Sequence, residues 1–263
     1  MLEYLSAGTQ IYLYVLAALL GLVLGSALNC LSFRMAHEQK WSGAQRSCCP
    51  ACGHALGALD LIPLFSYLFL KGRCRYCGKP ISPRYPITEG LLALCFVSLL
   101  ARFGLSADLV TAAILCACLL CLSLVDLDTQ IIPDRFLVLP AGARAIQLVL
   151  EGGLSGLARG VLPGLVIGGG VLCLSLVMDR VLGRDTMGGG DIKLLALLGM
   201  FLPFSQCLVL LILACVLGIV LGAVLLKVNP GSAFPFGPAL AAAAWITLLV
   251  GEPFVSWYLS LFL

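Results

Sequence analysis

The sequence predicts an all-α, polytopic membrane protein of about eight transmembrane helices, carrying a cytoplasmic four-cysteine zinc-binding loop. Three observations lead there. Hydrophobic residues make up 61% of the 263 residues and charged residues only 11%, with a mean hydropathy of +1.07, whereas a water-soluble domain carries roughly 25% charged residues. Uncharged stretches of about 20 residues recur along the chain, each long enough to cross the hydrocarbon core as a helix. The charge that exists is concentrated: between Arg34 and Pro86 eight basic residues face only Glu38 and Asp60, a net of +6. By the positive-inside rule that loop is cytoplasmic.

The elements follow in order from that anchor. The run from about Ile11 to Ser32 has no Lys or Arg upstream, so it lacks the basic start of a cleaved signal and reads as a retained first span with the N-terminus outside. The second span is expected at about Ile87 to Leu100 and the third at Leu109 to Val125, which returns Asp126 to Asp134 to the cytoplasmic face. A fourth span, Phe136 to Leu150, contains Arg144 and leads to a Gly-rich outer loop at 151–160. The fifth, Val161 to Met178, comes back at Asp179 to Asp191. The sixth is short, about Ile192 to Leu202; the seventh, Cys207 to Leu226, ends at Lys227 inside, and the eighth starts near Pro235, leaving both termini outside. Three regions result: a first span (1–33), the basic loop (34–86) and a transmembrane core (87–263).

This threading brings two aspartate clusters to one membrane face. Ionisable groups at a bilayer cost about 2.5 kcal/mol or more, so they mark function and face protein or water. Asp126 and Asp128 close the third span; Asp191 opens the sixth behind Gly188, Gly189 and Gly190, whose missing side chains let a peptide backbone approach. Two facing carboxylates share a proton, one acting as general base toward water and the other as general acid. From the residues alone, Asp126 and Asp128 both stand as the first partner, and helix capping is the alternative role for Asp191. Asp134, after Pro133, reads as a turn residue. Lys193 reads as an interfacial lysine or as a charge tuning Asp191. The spacings Gly21 to Gly25 and Gly218 to Gly222 read as helix-packing seams.

Other chemistries lack their parts. The two histidines, His37 and His54, both lie in the basic loop, away from any serine with a buried acid, which argues against a Ser-His-Asp triad and a histidine zinc hydrolase. No G-x-x-x-x-G-K-[ST] loop is present, so nothing points to an ATP-driven transporter. Eight of the thirteen cysteines lie in or beside apolar spans and act there as small hydrophobes. Four others form Cys49-Pro-Ala-Cys52 and Cys74-Arg-Tyr-Cys77, a pattern that supplies four thiolates to one tetrahedral, structural zinc. Cys48 competes with Cys49 for one position; His54 as a ligand, a redox dithiol and a pair of disulfides are the other readings.

The ordered set of motifs resembles the type IV prepilin peptidases, bacterial inner-membrane aspartic proteases that usually also act as N-methyltransferases. It comprises Gly25-Ser-Ala-Leu-Asn29 before Arg34; Asp60-Leu-Ile-Pro63, Ser66-Tyr-Leu68 and Gly72-Arg-Cys74 within the cysteine loop; and Arg84-Tyr-Pro86 with Glu89. Asp126 follows seven residues ahead of Pro133-Asp134, then Gly188-Gly-Gly-Asp191-Ile-Lys193 and Pro235-Phe-Gly-Pro238. Cys48 and Pro83 depart from the usual pattern. The resemblance implies that Asp126, rather than Asp128, pairs with Asp191 as the catalytic dyad. It further implies cleavage of the basic leader of prepilins or pseudopilins of type IV pilus and type II secretion systems after a glycine, at the cytoplasmic side of the inner membrane, then methylation of the new N-terminal residue by S-adenosylmethionine. Asn29 and Glu89 are the candidates for lining the methyl-donor site. Membrane lipid is an expected partner and nucleic acid is not. Rival readings are a peptidase without methyltransferase activity, a non-enzymatic scaffold or transporter with a zinc-ribbon docking loop, and a thiol redox enzyme.

Overall fold

The structure, a computed structural model, describes residues 5–37, 47–184, 186–228 and 235–261; Glu38, Lys40 and Arg46 of the basic loop lie outside them. Every regular element longer than an isolated bridge is helical among the described residues, and six helices are long and apolar enough to cross a membrane. The chain divides into two compact units, Met1–Leu109 and Val110–Leu263.

In the first unit α1 (Ala7–Ala36) starts where the Ser6 hydroxyl accepts the N–H of Thr9 at 3.3 Å, satisfying a backbone donor that the helix itself cannot. Its buried residues, Gly21, Gly25, Asn29 and Ser32, form one stripe at helical spacing. Against that stripe runs α3 (Arg84–Phe103). A Cβ at Gly21 would stand 2.5 Å from Ala93 Cα, and one at Gly25 would stand 2.9 Å from Glu89 Cα. Only glycine lets the two backbones meet so closely, and the seam expected at Gly21 to Gly25 is found there. The opposite face of α1, with Ile11, Val15, Leu19 and Val23, is exposed and apolar, as a lipid-facing surface must be. Between the two helices lies the cysteine loop, with a 3-10 turn (Ala58–Leu61) and a short α2 (Phe65–Phe69).

The second unit is organised around α4 (Ala107–Thr129), whose residues from Cys118 through Asp126 are all buried. It stops at Gln130, which takes a left-handed φ of 57°. Beyond it come α5 (Arg135–Leu182), α6 (Gly189–Leu198), α7 (Phe204–Val228) and α8 (Gly237–Ser260). Two expectations change here. The expected outer loop at 151–160 is helical apart from Gly153, whose φ of 60° and ψ of −154° separate the fourth and fifth segments into two helices, and Gly156 and Gly160 beyond it pack back on Leu148 before it. Glycine meets no Cβ penalty in that conformation, so the first helix of α5 ends, the chain turns at one residue and the second helix begins. The sixth segment is only ten residues long, Gly189–Leu198, and is not among the six helices that qualify by length. It packs into α5, where Gly164 and Gly168 lie against Ala196 and where Gly199 meets Gly164.

The charge inside the fourth segment is absorbed by this packing. Arg144 donates from Nε to the Met200 carbonyl just past α6, at 3.2 Å, and from Nη1 to Gln147 Oε1 at 2.8 Å; its guanidinium lies over the Phe201 ring. Thr111 donates to the same Gln147 oxygen, and Gln147 donates to Glu151. A membrane helix carries such a charge when it is hydrogen-bonded within the protein, as Arg144 is.

Candidate active site and metal centre

The first carboxylate arises where the buried run of α4 ends. Asp126 is 4% exposed, and its Oδ2 accepts the backbone N–H of Gly237, the first residue of α8, at 3.0 Å. Asp128, two residues on, is exposed. Two positions apart on a helix is about 200° of rotation, so the two side chains point to opposite sides and only one can enter the core. The second carboxylate, Asp191, lies in the first turn of α6, with its own N–H bonded to the Gly188 carbonyl at 3.1 Å. Its Oδ1 is buried without a hydrogen-bond partner among the described residues. The two carboxylates are close enough for their charges to interact. A buried, unpaired carboxylate oxygen beside a second carboxylate is unfavourable for folding alone, and such a defect marks a site kept for chemistry.

The glycines before Asp191 divide the task of fitting that turn. A Cβ at Gly190 would stand 2.8 Å from the Ile132 side chain, so this position is glycine for packing, whereas Gly189 has open space around it and Gly188 caps the helix. Lys193 is drawn away from the pair: its Nζ lies 2.8 Å from Asp134 Oδ1, with both side chains largely exposed. Asp134 stands at the N-cap position of α5 without a side-chain capping bond. Exposed ion pairs are worth about 1 kcal/mol or less, so Asp134→Asn is expected to leave the melting temperature and the chemistry nearly unchanged, as thermal denaturation and a turnover assay would show.

In the first unit the sulfurs of Cys49, Cys52, Cys74 and Cys77 lie within 4.8 Å of one another, with Cys49 Sγ and Cys77 Sγ 4.0 Å apart. Four thiolates bound to one zinc at about 2.3 Å sit about 3.8 Å from each other, so the cluster fits a tetrahedral ion. Each half is built the same way. Gly53 N–H bonds to the Cys49 carbonyl and Gly78 N–H to the Cys74 carbonyl, with both glycines at φ near 70°, the left-handed turn that brings each second cysteine back. Cys48 is exposed, pairs as an isolated bridge with Ala55, and stays out of the cluster; the His54 ring packs on Tyr76. None of the described cysteines is joined in a disulfide. Backbone N–H groups of Ala51 and Cys52 hold the Cys49 thiol down at about 7. The His54 N–H acts in the same sense on Cys52, but desolvation and the neighbouring Cys49 and Cys77 sulfurs push that thiol up to about 11. Asp60 fastens the loop from within: Gly57 N–H, Tyr76 Oη and Arg75 Nε all reach its carboxylate and hold it below the usual carboxylate range.

Asn29 and Glu89 are both buried, at 2% and 5% exposure, and both are engaged inside the protein. Asn29 donates to Thr88 Oγ1 across the α1–α3 seam at 2.5 Å, and Ser32 donates to the Asn29 carbonyl. Glu89 Oε2 accepts the N–H of Leu64 at 2.7 Å, where the backbone turns left-handed at φ 61°. Glu89 therefore ties the loop to α3. Replacing it with Leu leaves the Leu64 N–H unpaired at a cost of about 1–3 kcal/mol, expected to appear as a lower melting temperature and faster hydrogen exchange at Leu64.

The fold and site define a multi-pass helical membrane protein with two interacting carboxylates in one unit and, in the other, a four-cysteine cluster able to hold a metal ion. Residues 19–103 match the family described as the bacterial Peptidase A24 N-terminal domain, and residues 113–223 match the type IV leader peptidase family. A prepilin leader peptidase/N-methyltransferase of Aeromonas hydrophila is 39% identical over 222 residues, 83% of this chain and 76% of the relative. Proteins of the same name from Pseudomonas putida and Neisseria gonorrhoeae are 37% and 34% identical, over 92% and 93% of this chain and 92% and 94% of their own lengths. No solved structure matches significantly. The chain belongs to the type IV leader peptidase family. Gly237 is the site residue that sequence reasoning missed: it stands within Pro235-Phe-Gly-Pro238, but its contribution is a backbone N–H that no side-chain pattern reveals.

Proposed function

We propose that this chain removes the leader peptide from prepilins or pseudopilins by aspartic-protease chemistry and then methylates the exposed N-terminus. The observation that carries the first half is the buried Asp126 interacting with Asp191, whose Oδ1 is buried and unpaired, in a chain otherwise poor in charge. One carboxylate, ionised, takes a proton from water as the water oxygen bonds to the scissile carbonyl carbon. The other, protonated, gives its proton to the carbonyl oxygen. The tetrahedral adduct then collapses and the C–N bond breaks; the leaving amine takes up a proton from the carboxyl that had acted as base, and one hydroxyl of the adduct returns its proton to the carboxylate that had acted as acid. Gly189, with open space around it, leaves room for the substrate backbone beside Asp191.

The second half is supported by the names of the relatives. S-adenosylmethionine supplies the methyl group when bound; the chain's part is to hold the new amine unprotonated and in line with it. In this reading the loop's metal is a structural zinc. Asn29 serves by joining α1 to α3 through Thr88, and Glu89 by tying that loop to α3.

The topology that fits best is eight crossings, with α5 counted as two helices about Gly153 and α6 as a short one, both termini outside, and the loop and carboxylates at the cytoplasmic face of the inner membrane. The loop's charge excess supports that orientation. Its exposed Phe65, Leu68 and Phe69, the last 83% exposed, stand beside Lys71 and Arg73, a combination suited to an anionic lipid surface.

Purified protein mixed with a prepilin and S-adenosylmethionine tests the reading by intact mass. Loss of the leader, with gain of one methyl group on the mature product, is the expected result. An intact prepilin would move the reading to a non-enzymatic scaffold, and cleavage without methylation would reduce it to a peptidase alone.

A further inference from the structure

We infer that Gly237 is a positioning residue of the carboxylate centre, its backbone N–H fixing the orientation of Asp126; this rests on the peptidase reading above. Four observations converge on it. The Gly237 N–H to Asp126 Oδ2 bond, at 3.0 Å, is the only hydrogen bond to that side chain among the described residues. The contact excludes any side chain, since a Cβ at position 237 would stand 2.6 Å from the same oxygen and 3.4 Å from Leu122 Cδ2. The N–H is available because the first amides of a helix have no intrahelical acceptor, and Pro238 follows it in the first turn of α8. Proline has no N–H to offer, so the bond cannot slip forward from Gly237 to the next residue. Finally, the body of α8 is anchored by a buried stripe, Ala239, Leu240, Ala243, Ala244, Thr247 and Leu248. The donor is thus carried on a rigid element, as an orienting group must be.

The consequence is geometric. One oxygen of Asp126 is held from the α8 side, and the other is left without a protein donor, available to the water or to the facing Asp191. Position 237 requires glycine for space at the carboxylate, a demand separate from backbone flexibility.

The test compares parent, Gly237→Ala and Gly170→Ala, the last a helix glycine with nothing within 4 Å of its added methyl. A further variant carries glycolate in place of Gly237, which turns the preceding amide into an ester and deletes the N–H without adding an atom. Displacing Asp126 by about 1 Å lowers kcat on prepilin about a hundredfold in Gly237→Ala, with KM within about twofold of the parent because ground-state binding is untouched. The ester variant also loses kcat, and Gly170→Ala does not. Melting temperatures give a reading independent of activity: Gly237→Ala lowers the midpoint in the parent and does so much less in an Asp126→Ala background, where the clash is gone. Unchanged kcat in Gly237→Ala, an effect confined to KM, or equal melting shifts in both backgrounds each overturn the inference. A parent that leaves prepilin intact sinks the peptidase reading instead, and the melting cycle still reports on the contact.

Discussion

Asp126→Asn and Asp191→Asn each abolish leader cleavage, by about a thousandfold or more, while Asp128→Asn cleaves at nearly the parental rate. The expectation follows from what an amide cannot do. Proteolysis by a carboxylate pair needs one member to take a proton from water and the other to supply one, and asparagine does neither at neutral pH. The fold survives the change. Asn has the shape of Asp, and at position 126 its carbonyl oxygen still accepts the N–H of Gly237. At position 191 an unpaired buried oxygen is exchanged for another polar group in the same turn. Asp128 is exposed on the opposite side of α4, away from the pair. Intact mass of the product measures cleavage, and thermal melting checks that both inactive variants are folded. A substrate supplied already cleaved adds a second reading: both variants should still methylate it, because methyl transfer to an amine needs no carboxylate pair to activate water. Retained cleavage in either variant removes the aspartic mechanism.

What was legible in the sequence and what was not divide along physical lines. Transfer to lipid is a sum over residues, so the apolar stretches announce their helices, and α1, α3, α4, α7 and α8 lie where those stretches are. The bend in α5 is different. Gly152-Gly153 reads as a turn by composition, yet a single residue at φ 60° followed by Leu154 to Arg159 in helix has the same composition as a loop. The choice between them is made by packing, with Gly156 and Gly160 after the turn seated on Leu148 before it, and with Gly164 and Gly168 seated on Ala196 of α6. The latter contacts hold α6 at ten residues, a length that hydropathy alone extends to Leu202. At the site, spacing tells that Asp126 and Asp128 face apart, but which one turns inward is decided by the neighbours of α4. Likewise Cys48 and Cys49 are adjacent and chemically alike; the hydrogen bonds of Cys49 to the backbone of His54 and Gly53 select it for the cluster.

Metal removal provides the second large effect. The protein as purified is expected to hold about one zinc per chain, and Cys49→Ser or Cys74→Ser to lose it, since a tetrahedral site with three thiolates and a weakly binding hydroxyl is no longer closed. Zinc binding stabilises small cysteine modules by roughly 10 kcal/mol or more, and this loop has little else to replace it. Two isolated bridges, a 3-10 turn and a five-residue helix bury almost nothing apart from Cys49 and Cys74 themselves. Limited proteolysis should therefore open residues 47–82 in both variants and in parent protein treated with chelator. The spanning helices should keep their circular dichroism, because α1 and α3 are joined by their own glycine seam. The acid dependence has a definite sign. The ligand is the thiolate, so protons compete with zinc; with Cys49 at about 7 and Cys52 at about 11 in the metal-free loop, binding at neutral pH expels protons, and affinity weakens as pH falls. Zinc retention measured by elemental analysis across a pH series should drop on the acid side first. Full metal content in Cys49→Ser would show that the four sulfurs are not the ligand set, and unchanged proteolysis after chelation would show that the loop folds without an ion.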